Sequence, residues 1–237
     1  MSRSAARVLV VGLGGIGCPA SLALSRAGVG TIGLCDDDEV ESVNLHRQIL
    51  FAESNVGEPK VEAAARALRA MAPSIGLRLH ARRLLPDNAA ELVAAYDIVL
   101  EGADNYATKF LAADACAVAG VRVVHAAAVR WIATALAVGA RGRPCYRCVF
   151  EDVPEGGGQG CAQAGVMGPA VGIIAAAQVD LALAMIDGVS TEGQLVTFDG
   201  KAGVLRRRSI RARPQCPLCG DSPRIRCIES EAYSANA

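Results

Sequence analysis

Two pairs of cysteines and one glycine-rich turn carry the clearest chemistry in this chain. Cys145-Tyr146-Arg147-Cys148 and Cys216-Pro217-Leu218-Cys219 are both C-x-x-C. That spacing lets two thiolates reach one tetrahedral ion. Two such pairs close its shell with no open position, which describes structural rather than catalytic zinc. A redox dithiol or an iron–sulfur site is the alternative the spacing leaves open. Cys161 has no such partner and follows the glycine-rich stretch 155–160. A thiol on such a loop is either an accessible nucleophile or an inert loop residue. Cys18, Cys35 and Cys116 lie in apolar context and read as small core residues.

Gly12-Leu13-Gly14-Gly15-Ile16-Gly17 matches G-x-G-x-x-G. It follows a short apolar run and opens a helical stretch, the context in which glycines bring backbone close to a phosphate. The helix amino terminus then faces the anion with free N–H groups. Asp36, which opens the acidic run through Asp38, stands where a carboxylate accepts from ribose hydroxyls. A nicotinamide dehydrogenase is the first reading this invites. The residues that follow suit other chemistry. Asn44, Arg47, Gln48, Lys60, Asp104 and Asn105 all fall after carboxyl ends of expected strands, or on segments able to fold over them. Arg47 and Lys60 can neutralise phosphate oxygens, and Asp104 can hold magnesium beside them. Such groups serve attack at phosphorus, where catalysis is mostly positioning and charge stabilisation; a hydride transfer has no need of them. His46, His80 and His125 form no ligand set or triad, and no G-x-S-x-G elbow is present.

These residues need an open sheet to hold them. Strands are expected at 7–11, 31–35, 75–79, 96–100 and 121–125, and helices at 16–27, 59–71, 88–95 and 105–119. Strands alternating with helices give an α/β fold, a Rossmann-like doubly wound and mostly parallel sheet. Later strands at 133–139, 194–198 and 204–210, with an apolar helix after Gly165, form a β-rich carboxyl-terminal part that the zinc site would staple to the sheet. One domain over residues 1–220 and a loose polar tail over 221–237 are expected.

The chain has 237 residues, 52% of them hydrophobic, with 24 basic and 24 acidic side chains. A length of this order suits one large α/β domain. A net charge of zero speaks against a protein devoted to nucleic acid or an anionic membrane. The most apolar stretch, 166–186, contains Gln178 and Asp180 and reads as a buried helix. Nine cysteines without an export signal point to reduced or metal-bound thiols and a cytoplasmic setting. Only three lysines (Lys60, Lys109 and Lys201) stand among many arginines.

Taken together, GLGGIG, CDDDEVESVNLHRQ, VGEPKVEAA, GADNYATK, CYRC, GCAQAGVMGPAVG and CPLCG, in that order, resemble the MoeB/ThiF/HesA family of ubiquitin-activating-like enzymes. The resemblance runs from Arg7 to about Gly220. It implies an ATP- and magnesium-dependent adenylyltransferase that activates the carboxyl-terminal glycine of a ubiquitin-like sulfur carrier, and a homodimer. By that resemblance Gly12, Gly14, Gly15 and Gly17 form the nucleotide turn, and Asp36 and Asp38 lie at the ribose. Asn44, Arg47, Gln48 and Lys60 would meet the triphosphate, and Asp104 with Asn105 would stand near magnesium. Arg47, Lys60 and Asp104 are its catalytic set. Cys145, Cys148, Cys216 and Cys219 match its structural zinc ligands. Cys161 matches a cysteine that some members link covalently to the carrier. Three features depart from the family pattern. Members carry an amino-terminal helical segment whose arginine reaches a partner's ATP site; here six residues precede Arg7, and Arg3 is the sole candidate. Val43 and Ala103 replace common hydroxyl residues, and an appended rhodanese domain is not expected. Other readings are activation of another carboxylate, on a peptide or a tRNA-linked acid, and a non-catalytic partner subunit that binds the carrier. The paired cysteines favour the sulfur-carrier branch.

Overall fold

The structure, a computed structural model, describes residues 1–152, 165–230 and Tyr233. Eight strands form one sheet: β1 (Arg7–Val11), β2 (Thr31–Cys35), β3 (Gly76–His80), β4 (Ile98–Glu101), β5 (Arg122–Val129), β6 (Ile132–Val138), β7 (Gln194–Asp199) and β8 (Val204–Ser209). Their spatial order is β3-β2-β1-β4-β5-β6-β7-β8. The first five run parallel, and β5 to β8 continue as an antiparallel meander. β1 and β4 are buried along almost their whole length and rich in Val, Leu and Ile, as strands covered on both faces must be.

Helices α1 (Gly17–Arg26), α2 (Lys60–Met71) and a long apolar helix, α6 (Gly168–Ile186), pack on one face. The other face carries α3 (Ala89–Ala94) and α4 (Tyr106–Ala119), with the short α5 (Arg147–Phe150) beside them. By length and composition α6 is apolar enough to cross a membrane. In the fold it lies against β5, β6 and α1. The Gln178 side chain, one of its two polar interruptions, is buried and donates to the carbonyls of Glu101 (2.9 Å) and Val124 (2.7 Å).

Three boundaries differ from the sequence reading by more than one residue. β4 begins at Ile98 rather than at Tyr96, because the Asp97 carboxylate accepts from Arg7 N (2.8 Å) and the Tyr96 hydroxyl bonds His80 (2.6 Å). β5 runs on to Val129 because β6 pairs with it as far as Val129 opposite Ile132, a contact invisible in local pattern. The tail expected from Asp221 has inward contacts at two described positions. Ile228 packs on the core, and the buried Tyr233 donates from its hydroxyl to Asp114 at 2.6 Å. An aromatic ring with one polar handle can seat deeply where its neighbours are polar. The same Asp114 takes a bidentate grip from Arg147, so tail, α4 and the first cysteine pair meet at one buried carboxylate.

Candidate functional site

β1 and β4 are neighbours whose connections leave in opposite directions, so a crevice opens beyond their carboxyl ends. The glycine turn enters it from β1 and the Gly102–Asn105 turn from β4. They touch closely: Gly12 has φ +86°, and a Cβ there would lie 3.1 Å from Ala103 N. The cavity is about 610 Å³, within the range of small-molecule sites. Gly12, Gly14, Gly15, Asp36, Asp38, Asn44, Arg47, Gln48, Lys60, Asp104 and Asn105 all line it. Residues up to ninety-three positions apart thus share one wall.

The expected residues divide by what the fold does with them. Gly14 faces open space, as a phosphate seat requires. Gly17 does not line the cavity; a Cβ there would meet the Gly12 carbonyl oxygen at 1.8 Å. Its lack of a side chain lets α1 start hard against the turn. The Arg47 stem crosses Gly15, whose added Cβ would sit 3.2 Å from Arg47 Cγ. Asn105 caps α4, accepting from Thr108 N at 2.8 Å, while Asp104 beside it stays exposed.

Asp36 is tied in place by Leu13 N (2.6 Å to Oδ2) and Asp38 N (2.9 Å to Oδ1). A carboxylate has about four acceptor positions, so two remain for ligand hydroxyls. Lys60 is buried, 2.5 Å from Asp38 Oδ2 and 3.7 Å from Asp36 Oδ1. Burial works to lower the Lys60 pKa, but the two carboxylates outweigh it and the net direction is up. Burial raises that of Asp36, against the pull of Lys60 and two backbone donors. Gln48 is buried, and its Oε1 has no partner among the described residues.

Sequence reasoning missed Arg82, Arg83 and Thr108, which also line the cavity. Arg82 and Arg83 follow β3, an edge strand whose end is brought to the mouth only by pairing with β2. With them the lining holds four basic groups (Arg47, Lys60, Arg82, Arg83) and five acidic ones (Asp36, Asp37, Asp38, Glu41, Asp104). The lining nets one negative charge, so a triphosphate whose charge is reduced by a bound divalent cation suits it better than a bare polyanion. The unpaired Gln48 acceptor suits a hydroxyl, an amine or a metal-bound water. Nucleotide and magnesium therefore fit the residues present.

Arg3 lies elsewhere. It pairs with Asp187 at the far end of α6, beside the amino ends of the strands. Cys161 lies outside the described residues.

The four paired cysteines converge. Cys145 Sγ is 3.9 Å from Cys148 Sγ and 3.4 Å from Cys216 Sγ, and Cys148 Sγ is 3.3 Å from Cys219 Sγ. Tetrahedral zinc with sulfur at ~2.3 Å sets neighbouring thiolates ~3.8 Å apart. The cluster therefore fits zinc in donor type and size, and it joins the end of β6 to the segment after β8. In the metal-free cluster burial pushes the Cys145 thiol far up and Cys219 to about 12. Burial also works to raise Cys216, but the Cys219 and Leu218 backbone N–H groups outweigh it and hold that thiol below its ordinary value.

Crevice, glycine turn and charged lining form an α/β site whose residues fit the phosphates of a nucleotide. The ThiF family model matches residues 2–218, and the chain belongs to that family. It is 41% identical over 239 residues to the Mus musculus "Adenylyltransferase and sulfurtransferase MOCS3", covering 99% of this chain and 52% of that protein. The Bos taurus protein of the same description is 41% identical over 226 residues, covering 94% and 50%. The chain thus spans about half the length of these relatives. Among solved structures, E. coli MccB with ATP superposes with TM-score 0.79 at 23% identity, over 92% of this chain and 67% of that one. At that identity the likeness speaks for the fold.

Proposed function

We propose that this chain is an adenylyltransferase that activates the carboxyl-terminal glycine of a ubiquitin-like sulfur carrier. The observation that carries this reading is the joining of Gly14, Arg47, Lys60 and Asp104 in one crevice, on a chain so similar to relatives described as adenylyltransferases and sulfurtransferases. A glycine carboxylate oxygen attacks the α-phosphorus of ATP. The bond to the β-phosphate oxygen breaks, pyrophosphate leaves, and an acyl-adenylate remains. Gly14 and the amino terminus of α1 receive phosphate oxygens on backbone N–H groups. Arg47 and Lys60 stabilise the charge gathering on the departing pyrophosphate. Asp36 orients the ribose. Asp104 would hold magnesium, which supplies neutralisation of the phosphate oxygens. Zinc on the four cysteines would tie the meander to its end and take no part in the chemistry.

The working unit is a homodimer in this reading. Val43 and Ile49 are exposed on the loop whose His46 carbonyl lies against Gly168, and Met167 just before α6 and Ile173 within it are exposed too. They form an apolar rim that a second copy would cover, measurable by analytical ultracentrifugation.

ATP–pyrophosphate exchange with magnesium and candidate carriers ending in Gly-Gly tests the reading. Exchange that depends on one carrier supports it. Exchange driven only by a peptide or another small carboxylate would move the substrate class. No exchange with any carboxylate, from folded protein, would leave a binding subunit.

A further inference from the structure

Beneath the floor of the crevice lies a buried ionic cluster that the proposed mechanism does not use. Glu101, at the carboxyl end of β4, is fully buried. Its Oε1 accepts from Ala103 N (2.7 Å) and Lys109 Nζ (3.1 Å). Its Oε2 accepts from Lys109 Nζ (3.0 Å) and bonds His125 Nδ1 (3.1 Å). Lys109 Nζ donates further to Ala126 O at 2.7 Å. The carboxylate's four acceptor positions are therefore filled. Burial pushes the Glu101 pKa up, but Lys109 and His125 outweigh it and hold the group ionised.

Such a cluster is a poor choice for stability alone. Desolvating two charges costs about what their attraction returns, and an apolar pair often serves as well. What an apolar pair cannot supply is an acceptor for Ala103 N–H. That N–H belongs to the residue before Asp104. The same turn is held by Gly102 N to Val11 O (3.0 Å), by the close approach of Gly12 and by the Asn105 cap on α4. Every anchor of the turn points into the protein, and the Asp104 side chain is exposed at the crevice.

We infer that Glu101 is a positioning residue: its grip on Ala103 N–H, braced by Lys109 and His125, sets the turn that aims Asp104 into the crevice. This rests on the adenylation reading for the role of Asp104. It adds that the aim of that carboxylate, and with it the response to magnesium, depends on a buried neighbour that touches neither ATP nor metal.

Two double variants separate acceptor from charge. Glu101→Leu with Lys109→Met replaces the pair by apolar groups, while Glu101→Gln with Lys109→Met removes the charges but restores an acceptor for Ala103 N–H. Expected for the Leu variant is a fall of about tenfold or more in kcat for exchange and a rise of about threefold or more in the magnesium needed for half-maximal rate, with KM for ATP within about threefold. The Gln variant should recover kcat and magnesium response to within about threefold of wild type. Retained kcat in the Leu variant, or an equal loss in the Gln variant, overturns the inference. Should the Leu variant fail to melt cooperatively, Glu101→Asp decides: it keeps the ion pair, shortens the reach to Ala103, and should show the same kcat and magnesium changes. Wild-type protein that supports no exchange overturns the adenylation reading instead. The positioning inference is then decided by the magnesium-dependent part of the melting shift that ATP produces, lost in the Leu variant and kept in the Gln variant if it holds.

Discussion

Asp104, Asp37 and Glu41 are exposed acids of the crevice with no ion pair among the described residues, whereas Asp36 and Asp38 are already engaged by Lys60; of the three, Asp104 is the one carried on the turn after β4. Truncating an exposed side chain outside the core costs little stability, within about 0.5 kcal/mol. Asp104→Ala should therefore abolish carrier-dependent exchange while leaving the melting midpoint unchanged; an unaltered exchange rate would sink its assigned role. Two glycines of the turn make a sharper pair. A Cβ at Gly14 meets nothing within 4 Å, while one at Gly17 would collide with the Gly12 carbonyl. Gly14→Ala should fold like wild type and bind ATP more weakly, because its methyl occupies the phosphate seat. Gly17→Ala must shift backbone and should lose about 2–3 kcal/mol of stability. Thermal melts with and without ATP read both, and equal melting of the two variants would contradict the division of labour.

Among the elements, the cysteine cluster is the part whose removal should tell most. It joins α5 and the loop before it to the segment beyond β8, seventy-one residues away, where Arg143 with Asp221 and Arg213 with Glu151 also link the two. Thiols must lose protons to bind the metal, so a metal-free cluster takes protons back and loses the ion that ties its two segments. Chelation should lower the melting midpoint by about 10 °C, the equivalent of about 3 kcal/mol for a chain of this size. ATP binding below the new midpoint should persist, since no cysteine of the cluster lines the crevice. A chelated protein with an unchanged melt would show that the cluster holds no structural ion. Arg147 extends the element's reach: it lies between the first two cysteines and grips Asp114, which also receives Tyr233.

Across the whole molecule, stability should depend on pH through two histidines. Burial, then nearby Arg82 and Arg78, holds His80 below its ordinary 6.5. Burial also lowers His125, against the opposing pull of Glu101. Below pH 6.5 the unfolded chain takes up protons at both positions that the folded chain refuses. Stability is thus present above that value and is lost as pH falls. The melting midpoint should drop between about pH 7.5 and about pH 5.5, and His80→Gln should flatten the drop. An identical slope in the variant would locate the titration elsewhere. The Glu101 carboxylate, held below its ordinary 4.5, adds its own loss only at lower pH.

The amino-acid order by itself determined the alternation of strands and helices through β5, the phosphate-turn glycines, the candidate acids and bases, and the pairing of four cysteines. Each is written in short-range spacing: Val-rich runs ending in glycine, and C-x-x-C twice. What only the tertiary structure decided depends on contacts distant in sequence. Gly17 reads as one more phosphate glycine until Gly12 is seen against it. Arg82 and Arg83 reach the crevice because β3 pairs with β2. Tyr233 is an aromatic in a polar tail until Asp114 receives it. Lys109, Glu101 and His125 are three unremarkable positions until one sheet and one helix bring them together under the Asp104 turn. Local pattern reports backbone preference and burial. The partner that satisfies a buried charge is chosen by the fold.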